Sequence, residues 1–397
     1  MTPRTRTGAA ALAAVLLAAA TGCAAADRSS HGPAAPAKPS QRPAAPGAAS
    51  AGPAPFTLVT SGDVLPHDSI IRQAAADAGG AGYDFRPMLA GVRSVVSGAD
   101  LAICHMETVY GAEGGPYTGY PAFKSPPEVA VALKETGYDS CSTASNHTLD
   151  DGAAGLGRTL DALDKAGVRH AGSARSAEEA ARPTLLKAGG ATVAQLAYTY
   201  DTNGYPLPAG QPWAVNLIDE QKIVADARAA RKAGADVVVV SVHWGTEWQS
   251  APDERQLSLG QALTASNTGG RPDIDLIIGT HAHVPQAYEK VNGTWIVYGM
   301  GDQIAGDMIN YNGSYDPRGN QGTLARFTFV PPAAPGGRWE VRKAEFVPQL
   351  FDTARGRVVN LNAAVRKGEE RYTETRDAIR EVVLSRGAAR DGLMAGE

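Results

Sequence analysis

Residues 277–284 read Ile-Ile-Gly-Thr-His-Ala-His-Val, an apolar run that stops at a glycine and then presents two histidines two residues apart. The run from Asp275 to Ile278 is typical of a buried β-strand. Alternate side chains of an extended chain lie on one face, so we expect His281 and His283 to point into the same pocket. Taken alone, the pair is equally typical of a surface loop, and the rest of the chain must distinguish the two interpretations.

Histidines elsewhere in the chain follow the same pattern. Of the eight histidines, six stand at or just after the end of a strand-like apolar run, namely His67, His105, His147, His243, His281 and His283. Asp63, Glu107 and Asn146 end similar runs. Because the carboxyl ends of strands in an open α/β sheet line the crevice where ligands bind, we expect these groups around one spot. Oxygen and nitrogen donors without thiolate suit zinc, manganese or iron.

Strand-like and helix-like runs alternate through the first part of the chain. Runs rich in apolar and β-branched residues at 56–60, 101–104 and 138–143 are separated by helical patterns, including one over residues 85–96. Alternation at this spacing indicates βαβ units and a parallel sheet. The run at residues 236–242 is the clearest strand of the chain.

The later part of the chain is richer in strands. A hairpin is predicted over residues 287–298, because it turns at an Asn-Gly pair, a strong type I′ signal. A second hairpin is predicted over residues 323–346. Together with the βαβ units, these strands predict a layered α/β sandwich in one domain over residues 56–350. A C-terminal extension with a helix follows at residues 351–397.

Residues 1–23 are typical of an export signal. Two arginines precede an apolar run over residues 9–20 that is too short to span a bilayer, and Thr21-Gly22-Cys23 then resembles the lipobox of a bacterial lipoprotein. We expect a lipid-modified Cys23 that anchors the protein to the outer face of the bacterial cell membrane, with plain secretion as the alternative. Residues 24–55 are rich in Ala, Pro, Gly and Ser and predict a disordered tether.

Charge limits the classes of partner. The formal net charge is −4, and residues 56–397 carry 32 basic and 40 acidic side chains. This balance argues against nucleic acid as a partner. An anionic ligand must therefore be recognised by local groups rather than by overall charge.

Two cysteines remain in the predicted domain. Cys104 and Cys141 fall near the ends of strands that we expect to lie side by side. In an oxidising exterior they either form a disulfide or stay as buried thiols that pack like small apolar residues. The sequence leaves both possibilities open.

Five ordered motifs within residues 56–350 together resemble the CapA-type family of capsule and poly-γ-glutamate synthesis proteins. The matching pieces are Gly62-Asp63, Met106-Glu107-Thr108, Ser145-Asn146-His147 with Asp150 and Gly152, His243-Trp244-Gly245 with Glu247, and Gly279 to Val284 with Glu289. Several motifs in the expected strand context are far more specific than one. The resemblance implies the layered α/β/β/α sandwich of calcineurin-like metallophosphoesterases, although a fold does not fix a function.

The resemblance also implies two divalent metal ions, manganese, zinc or iron, held by one set of residues. That set is Asp63, Glu107, Asn146, His243, His281 and His283. Glu107 would stand where related phosphoesterases have a bridging aspartate, and His147 where they keep a catalytic histidine that donates a proton to the leaving group. Such metals activate a bound water and polarise the scissile bond, and a histidine can act as general acid near neutral pH.

Several positions depart from the family pattern, and two of them bear most directly on the metal site. Leu65 stands where the phosphoesterases have a histidine, so either His67 or His105 substitutes for it or one metal binds weakly. Asp302 places a carboxylate where the family usually has an asparagine. That carboxylate either raises the metal affinity or repels an anionic substrate.

Three further residues are candidates for substrate contact or an accessory role. Lys124 suits an anionic group, but an ordinary solvated lysine fits equally well. Trp244 suits packing or the wall of a pocket, and Glu247 follows the His243 motif as an accessory carboxylate.

The sequence therefore predicts an exported, membrane-tethered protein that acts on a capsular or cell-envelope polymer, anionic or peptide-like, at amide or phosphoester bonds. One alternative is a non-catalytic assembly or export factor that binds polymer or an integral membrane partner. The other is an extracytoplasmic phosphoesterase.

Overall fold

The structure is a computed structural model that describes residues 52–334 and 337–397. The predicted export signal, Cys23 and nearly all of the predicted tether lie outside these residues. The strands are β1 (Phe56–Leu65), β2 (Leu101–Met106), β3 (Ser140–Ser142), β4 (Arg169–Ala171), β5 (Thr184–Ala188), β6 (Ala191–Thr199), β7 (Val237–His243), β8 (Asn267–Thr268), β9 (Arg271–Pro272), β10 (Leu276–Thr280), β11 (Tyr288–Val291), β12 (Thr294–Val297), β13 (Asp302–Ala305), β14 (Gln321–Val330), β15 (Glu340–Asp352), β16 (Arg357–Asn360) and β17 (Leu393–Ala395). The α-helices are α1 (Asp68–Asp77), α2 (Arg86–Leu89), α3 (Arg93–Ser97), α4 (Glu128–Thr136), α5 (Gly152–Ala166), α6 (Ala177–Ala180), α7 (Glu220–Lys232), α8 (Glu254–Ala265), α9 (Leu361–Arg366) and α10 (Thr373–Leu384).

Two mixed sheets form the centre of the fold. The larger sheet has nine strands in the order β16-β15-β14-β1-β2-β3-β4, with β13 paired to β1 and β17 paired to β15. The smaller sheet has six strands in the order β11-β12-β10-β7-β6-β5. The strands β1 to β4 run parallel to one another, and so do β6, β7, β10 and β12. Their carboxyl ends therefore lie at one edge of each sheet.

Buried apolar residues fall into layers that match this arrangement. One cluster joins both sheets, for example Leu58 and Ile103 of the larger sheet with Val239 and Ile278 of the smaller one. A second cluster packs α1 to α5 on the outer face of the larger sheet, and a third packs α7 and α8 on the smaller sheet. The predicted α/β/β/α sandwich is confirmed.

Local signals explain several element ends. Helix α8 begins with a capping box, in which Asp253 and Gln256 satisfy each other's backbone N–H groups. Helix α5 ends at Ala166 and is followed by Gly167, which adopts a left-handed φ of 75°. The predicted hairpin turn lies between β11 and β12, where Asn292 and Gly293 have φ of 51° and 79°.

Two predictions of local structure are wrong. The single helix expected over residues 85–96 is two short helices, α2 and α3, because the chain turns between them where Gly91 lies against the backbone of Val358. The chain at His281 and His283 is not extended: both residues have positive φ, of 91° and 56°. Strand β10 ends at Thr280, and the His281 N–H turns to donate a hydrogen bond to Asp63 Oδ2 at 3.0 Å.

Residues 351–397 are integrated into the sandwich. They add β16 and β17 to the larger sheet, and α9 and α10 contribute Leu361, Ile379 and Val383 to the core between the sheets. The predicted terminal helix is α10.

Cys104 and Cys141 are paired residues of β2 and β3 and form a disulfide. Within residues 52–334 and 337–397, the helices lack the combination of length and apolarity that crossing a bilayer requires.

Candidate metal centre

The carboxyl ends of strands from both sheets bring polar side chains to one buried place. Asp63 lies near the end of β1, Glu107 follows β2, and Asn146 follows β3. From the smaller sheet, His243 ends β7 and His281 follows β10. The end of β10 lies close to the backbone of Tyr298, and this close contact requires glycine at position 279, since any side chain there would collide with the Tyr298 carbonyl.

One group of possible ligands consists of Asp63, His105 and His243, whose donor atoms all lie within 4.8 Å of one another. His105 Nε2 is 3.6 Å from Asp63 Oδ1. Its Nδ1 lies 2.7 Å from Ser142 Oγ, and its ring stacks on His243 with centroids 4.8 Å apart. Of the two histidines proposed to substitute at the Leu65 position, the structure therefore places His105 in the cluster.

A second group is Glu247, His281 and His283, and a third is Asp63, His283 and Asp302, each again within 4.8 Å. His283 belongs to both. Its Nδ1 lies 3.0 Å from Asp302 Oδ1, and its Nε2 faces Glu107. The Asp302 carboxylate therefore orients the His283 ring, with Nδ1 toward Asp302 and Asp63 and Nε2 toward Glu107.

Glu107 lies between the groups. Its Oε1 is 3.8 Å from His243 Nε2 and 4.0 Å from His283 Nε2. Both of its carboxylate oxygens are buried and have no hydrogen-bond partner in the described part of the chain. Glu107 is therefore placed so that it could contribute a ligand atom to either group.

Burial strongly perturbs the ionisable groups. It raises the pKa of Asp63 to about 8, with the nearby Asp302 charge adding to the effect, and it raises the pKa of Asp302 to about 6. Burial and the Asp63 charge hold the pKa of Glu107 well above its usual range. Gathering carboxylates in a dry site is costly unless a cation accompanies them.

The surroundings of the histidines shift their pKa values in opposite directions. Burial, followed by the neighbouring imidazoles, lowers the pKa of His243 and of His281 well below the ordinary value, so both are neutral and able to ligate. Burial also lowers the pKa of His105 to about 3. For His283, burial acts in the same direction, but the carboxylates of Asp302 and Glu107 outweigh it and raise its pKa well above 6.5.

Buried polar atoms that have no hydrogen-bond partner indicate whether the cluster could hold a metal ion. Within the described residues, the buried atoms without a hydrogen-bond partner include Asp63 Oδ1, His105 Nε2, both Glu107 oxygens, His281 Nδ1 and Asp302 Oδ2. Buried polar atoms are normally satisfied, and these converge from separate strands on one place. Oxygen and imidazole nitrogen donors are the set that manganese, zinc and iron accept. The residues present therefore fit one or two divalent cations.

Asn146 and His147 stand beside the cluster. Asn146 Oδ1 lies 2.9 Å from His243 Nε2, and the Asn146 amide donates to Asn203 Oδ1 at 3.2 Å. His147 Nδ1 is 2.7 Å from Asp150 Oδ2, and its ring packs edge-on against Phe123. The Asp150 carboxylate accepts a hydrogen bond from the His147 Nδ1–H, which leaves His147 Nε2 available for proton transfer.

Three of the predicted accessory residues are engaged elsewhere. His67 Nδ1 accepts the N–H of Gly306 at 3.1 Å, and the residue precedes α1. Lys124 forms an ion pair with Asp151, Nζ to Oδ1 at 2.8 Å. Trp244 is buried in the outer core and donates its indole N–H to the Tyr298 carbonyl, so it packs rather than contacts the cluster.

The loop after β6 supplies neighbours that the sequence analysis missed. The Tyr200 ring packs against His281 with centroids 4.4 Å apart, and Asn203 contacts both Asn146 and His147. The only sequence signal was position, since both residues closely follow a strand end. Their contacts with the cluster depend on the path of this loop, which brings Tyr200 to His281 after β10 and Asn203 to Asn146 after β3.

Known proteins with similar sequences point to one family. The family model for "Bacterial capsule synthesis protein PGA_cap" matches residues 57–307. The "PGA biosynthesis protein CapA" of Bacillus subtilis is 32% identical over 178 residues, which are 45% of this chain and 45% of that protein. The "Probable polyglutamine synthesis accessory protein Rv0574c" of Mycobacterium tuberculosis is 29% identical over 220 residues, 52% of this chain and 55% of that protein. The chain thus spans about half the length of the curated relatives it matches.

Solved structures with a similar arrangement include a calcineurin-like phosphoesterase, YfkN, from Bacillus subtilis. It is 13% identical, with a TM-score of 0.44, over 83% of this chain and 99% of the other. A putative 5′-nucleotidase from Staphylococcus aureus is 16% identical, with a TM-score of 0.43, over 74% of this chain and 54% of the other. No functional conclusion follows from similarity at this level.

Proposed function

Since the chain belongs to the PGA_cap family of bacterial capsule synthesis proteins, we propose that it acts on a capsular or cell-envelope polymer of the poly-γ-glutamate type through a metal-dependent hydrolase-type centre. The family membership supports the polymer, and the buried cluster supports the chemistry. The observation that carries the proposal is the convergence of unpartnered carboxylate and imidazole atoms around Glu107.

The roles of the residues follow from their positions. Asp63, His105 and His243 would hold one ion and His281, His283 and Glu247 another, with Glu107 between them and Asn146 beside His243. Bound divalent metals supply Lewis acidity at the scissile bond and a nucleophilic water near neutral pH. Asp302 orients His283, and Tyr200 covers His281 on one side and helps to exclude water.

His147 is placed to move a proton. Its Nδ1 is held by Asp150, and Phe123 packs against its ring, so the direction of Nε2 is fixed. A protonated His147 would donate from Nε2 to the leaving group, either an amide nitrogen or a phosphoester oxygen. His147 is a catalytic residue in this proposal and does not bind the metal.

The proposed setting is the outer face of the cell membrane. The lipobox-like Thr21-Gly22-Cys23 supports a lipid anchor, and the Ala- and Pro-rich residues 24–55 would give the domain reach. The proposed partners are the polymer and an integral membrane protein of its synthesis or export.

The test combines metal content with turnover. Protein purified without chelator is analysed for manganese, zinc and iron, and its activity is measured on γ-glutamyl oligomers and on a phosphodiester. We expect bound metal, cleavage of the γ-glutamyl substrate, and a loss of about 100-fold or more in His147→Gln with unchanged metal content. Equal rates in wild type and His147→Gln, both loaded with metal, would contradict the hydrolase proposal. Cleavage of the phosphodiester alone would support the phosphoesterase alternative.

A second candidate is a non-catalytic assembly or export factor. Asp302 adds a third buried carboxylate beside Asp63 and Glu107, which disfavours the entry of an anionic polymer into the centre. Leu65 packs with Phe123, Ala305 and Met308 and so provides no ligand at its position. Tight binding of the polymer or of a membrane partner by metal-loaded protein, without turnover, would support this candidate.

A further inference from the structure

A tryptophan beside the metal centre has a strained backbone conformation. Trp248 has a φ of 67°, in the left-handed region that favours glycine. Glycine and asparagine adopt this region readily, whereas a bulky side chain there is an outlier. Such strain persists only where the surrounding contacts hold the backbone in place. The contacts of Trp248 therefore indicate what the conformation serves.

The backbone of Trp248 joins two segments that carry possible ligands. Its N–H donates a hydrogen bond to the Ala282 carbonyl at 2.9 Å. Ala282 lies between His281 and His283, and Glu247 directly precedes Trp248. Glu247 and the two histidines are the group whose donor atoms lie within 4.8 Å of one another. The hydrogen bond therefore holds the segment that carries the carboxylate against the turn that carries both imidazoles.

The indole of Trp248 packs beside one of those imidazoles. Its ring centroid lies 6.2 Å from that of His283, and the two planes are inclined by 44°. Glycine at position 319 leaves room for the indole, since a Cβ there would lie 2.9 Å from its Cη2. The half-buried indole also packs against a small buried apolar cluster, which consists of Leu65, Phe123, Ala305 and Met308. This cluster holds the indole in place next to His283.

The indole supplies a restraint that the hydrogen bonding of His283 lacks. Asp302 Oδ1 lies 3.0 Å from His283 Nδ1 and so directs one edge of the imidazole. A single hydrogen bond still leaves the ring free to tilt about it, which changes where Nε2 points. A neighbouring side chain packed beside the ring limits this motion, because packing locks rotamers that one hydrogen bond does not.

We propose that Trp248 is a positioning residue of the metal centre, which keeps the His283 imidazole oriented and holds Glu247 next to the histidine turn. The inference rests on the proposed metal centre, but it depends neither on the bond that is cleaved nor on turnover. Groups that support a ligand without touching the metal typically change metal affinity by about 10- to 100-fold. Trp248 belongs to this class.

The test is a titration of Co²⁺, as a spectroscopic probe metal, into chelator-treated and dialysed protein. The visible absorption of bound Co²⁺ reports the geometry of its ligands, and the saturation of the band gives the affinity. We expect Trp248→Ala to bind Co²⁺ about tenfold or more weakly and to shift the band. Trp248→Phe keeps an aromatic ring and should restore most of the affinity.

A glycine variant separates the indole from the backbone. Glycine adopts a positive φ without strain, so Trp248→Gly should unfold at a higher urea concentration than Trp248→Ala. It should nevertheless bind Co²⁺ as weakly as Trp248→Ala, because both variants lack the ring. If Trp248→Ala is unfolded by circular dichroism, Trp248→Gly serves for the comparison with wild type.

Trp213→Ala is the matched control, because Trp213 is also a half-buried tryptophan but lines a cavity beside β4 and α7. This variant should leave the Co²⁺ affinity and the absorption band unchanged. Affinity and spectra equal to wild type in the folded Trp248→Ala and Trp248→Gly variants would overturn the inference and leave the metal centre intact. An equal loss of affinity in Trp213→Ala would overturn it as well. Wild-type protein that fails to bind Co²⁺ would instead contradict the metal centre itself, and this inference with it.

Discussion

Replacing Asp302 with asparagine should weaken metal binding without removing any of the six residues implied as ligands. Asp302 is fully buried, and its Oδ1 lies 3.0 Å from His283 Nδ1, while His283 Nε2 faces Glu107. The carboxylate therefore sets the ring orientation and strengthens the imidazole as a donor. Asparagine keeps a hydrogen-bond acceptor at this position but removes the charge.

The size of the effect follows from that contact. A hydrogen bond that involves a charged group contributes about 1.5–3 kcal/mol, and a neutral one about 0.5–1.5 kcal/mol. Losing the charge alone should therefore cost about 1.4 kcal/mol, or roughly tenfold in metal affinity. Asp302→Ala removes the whole contact and should approach the roughly 100-fold loss typical of residues that support a ligand.

The assay is calorimetric titration of manganese or zinc into chelator-treated, dialysed protein. Asp275→Asn is a matched control, because Asp275 is also a buried aspartate but binds Arg231 outside the cluster. Metal affinity should stay at the wild-type value in this control even where its stability falls. Unchanged affinity in both Asp302 variants, or an equal loss in Asp275→Asn, would refute the reasoning.

Three other outcomes are expected. If the centre holds two ions, as proposed, Glu107→Gln should lower the metal content measured by elemental analysis, because the Glu107 oxygens lie between His243 and His283. Metal content equal to that of wild type would contradict a role of Glu107 in binding both ions. Between about pH 6.5 and 8, the unfolding free energy of protein from which metal has been removed with a chelator should fall by about 1 kcal/mol per pH unit. The reason is that Asp63, with its pKa raised to about 8, binds a proton in the folded state that the unfolded chain has already lost. Urea denaturation at several pH values measures this, and a rise in stability over the window would oppose it. Over the same window metal affinity should increase, because binding displaces that proton. Phe327→Ala should cost about 3–5 kcal/mol of unfolding free energy, because the side chain is fully buried between the sheets beside Trp295; a loss below about 1 kcal/mol would show that this core layer is loosely packed.

The layered sandwich could be predicted because its signals are local. The apolar runs of β1, β2, β7 and β10 and the Asn-Gly turn are periodic or short-range patterns, and each depends on the covalent chain and its immediate neighbours. The same holds for the six residues implied as ligands, because a residue just after a parallel strand must lie at the carboxyl edge of the sheet. The strand ends therefore predicted, without knowledge of the packing, that Asp63, Glu107 and His243 lie at the carboxyl edges of the sheets.

Other features depended on contacts between distant parts of the chain. The sequence offered His67 and His105 equally at the Leu65 position, and only the pairing of β1 with β2 sets His105 beside Asp63. Tyr200 and Asn203 reach the centre because their loop folds across it. The positive φ of His281 and His283 follows from the turn toward Asp63, 218 positions earlier in the chain.

The residue patterns by themselves determined most element types, a layered α/β sandwich and which strand tips carry donor groups, since periodicity and strand-end chemistry depend on neighbouring residues, while the α/β/β/α order was implied by the family resemblance. Only the tertiary structure decided which donors lie together, which histidine stands beside Asp63, and how the His283 ring is oriented against Asp302. The physical reason is that coordination and hydrogen bonding act over about 2–4 Å, a distance fixed by how the sheets pack and not by spacing along the chain.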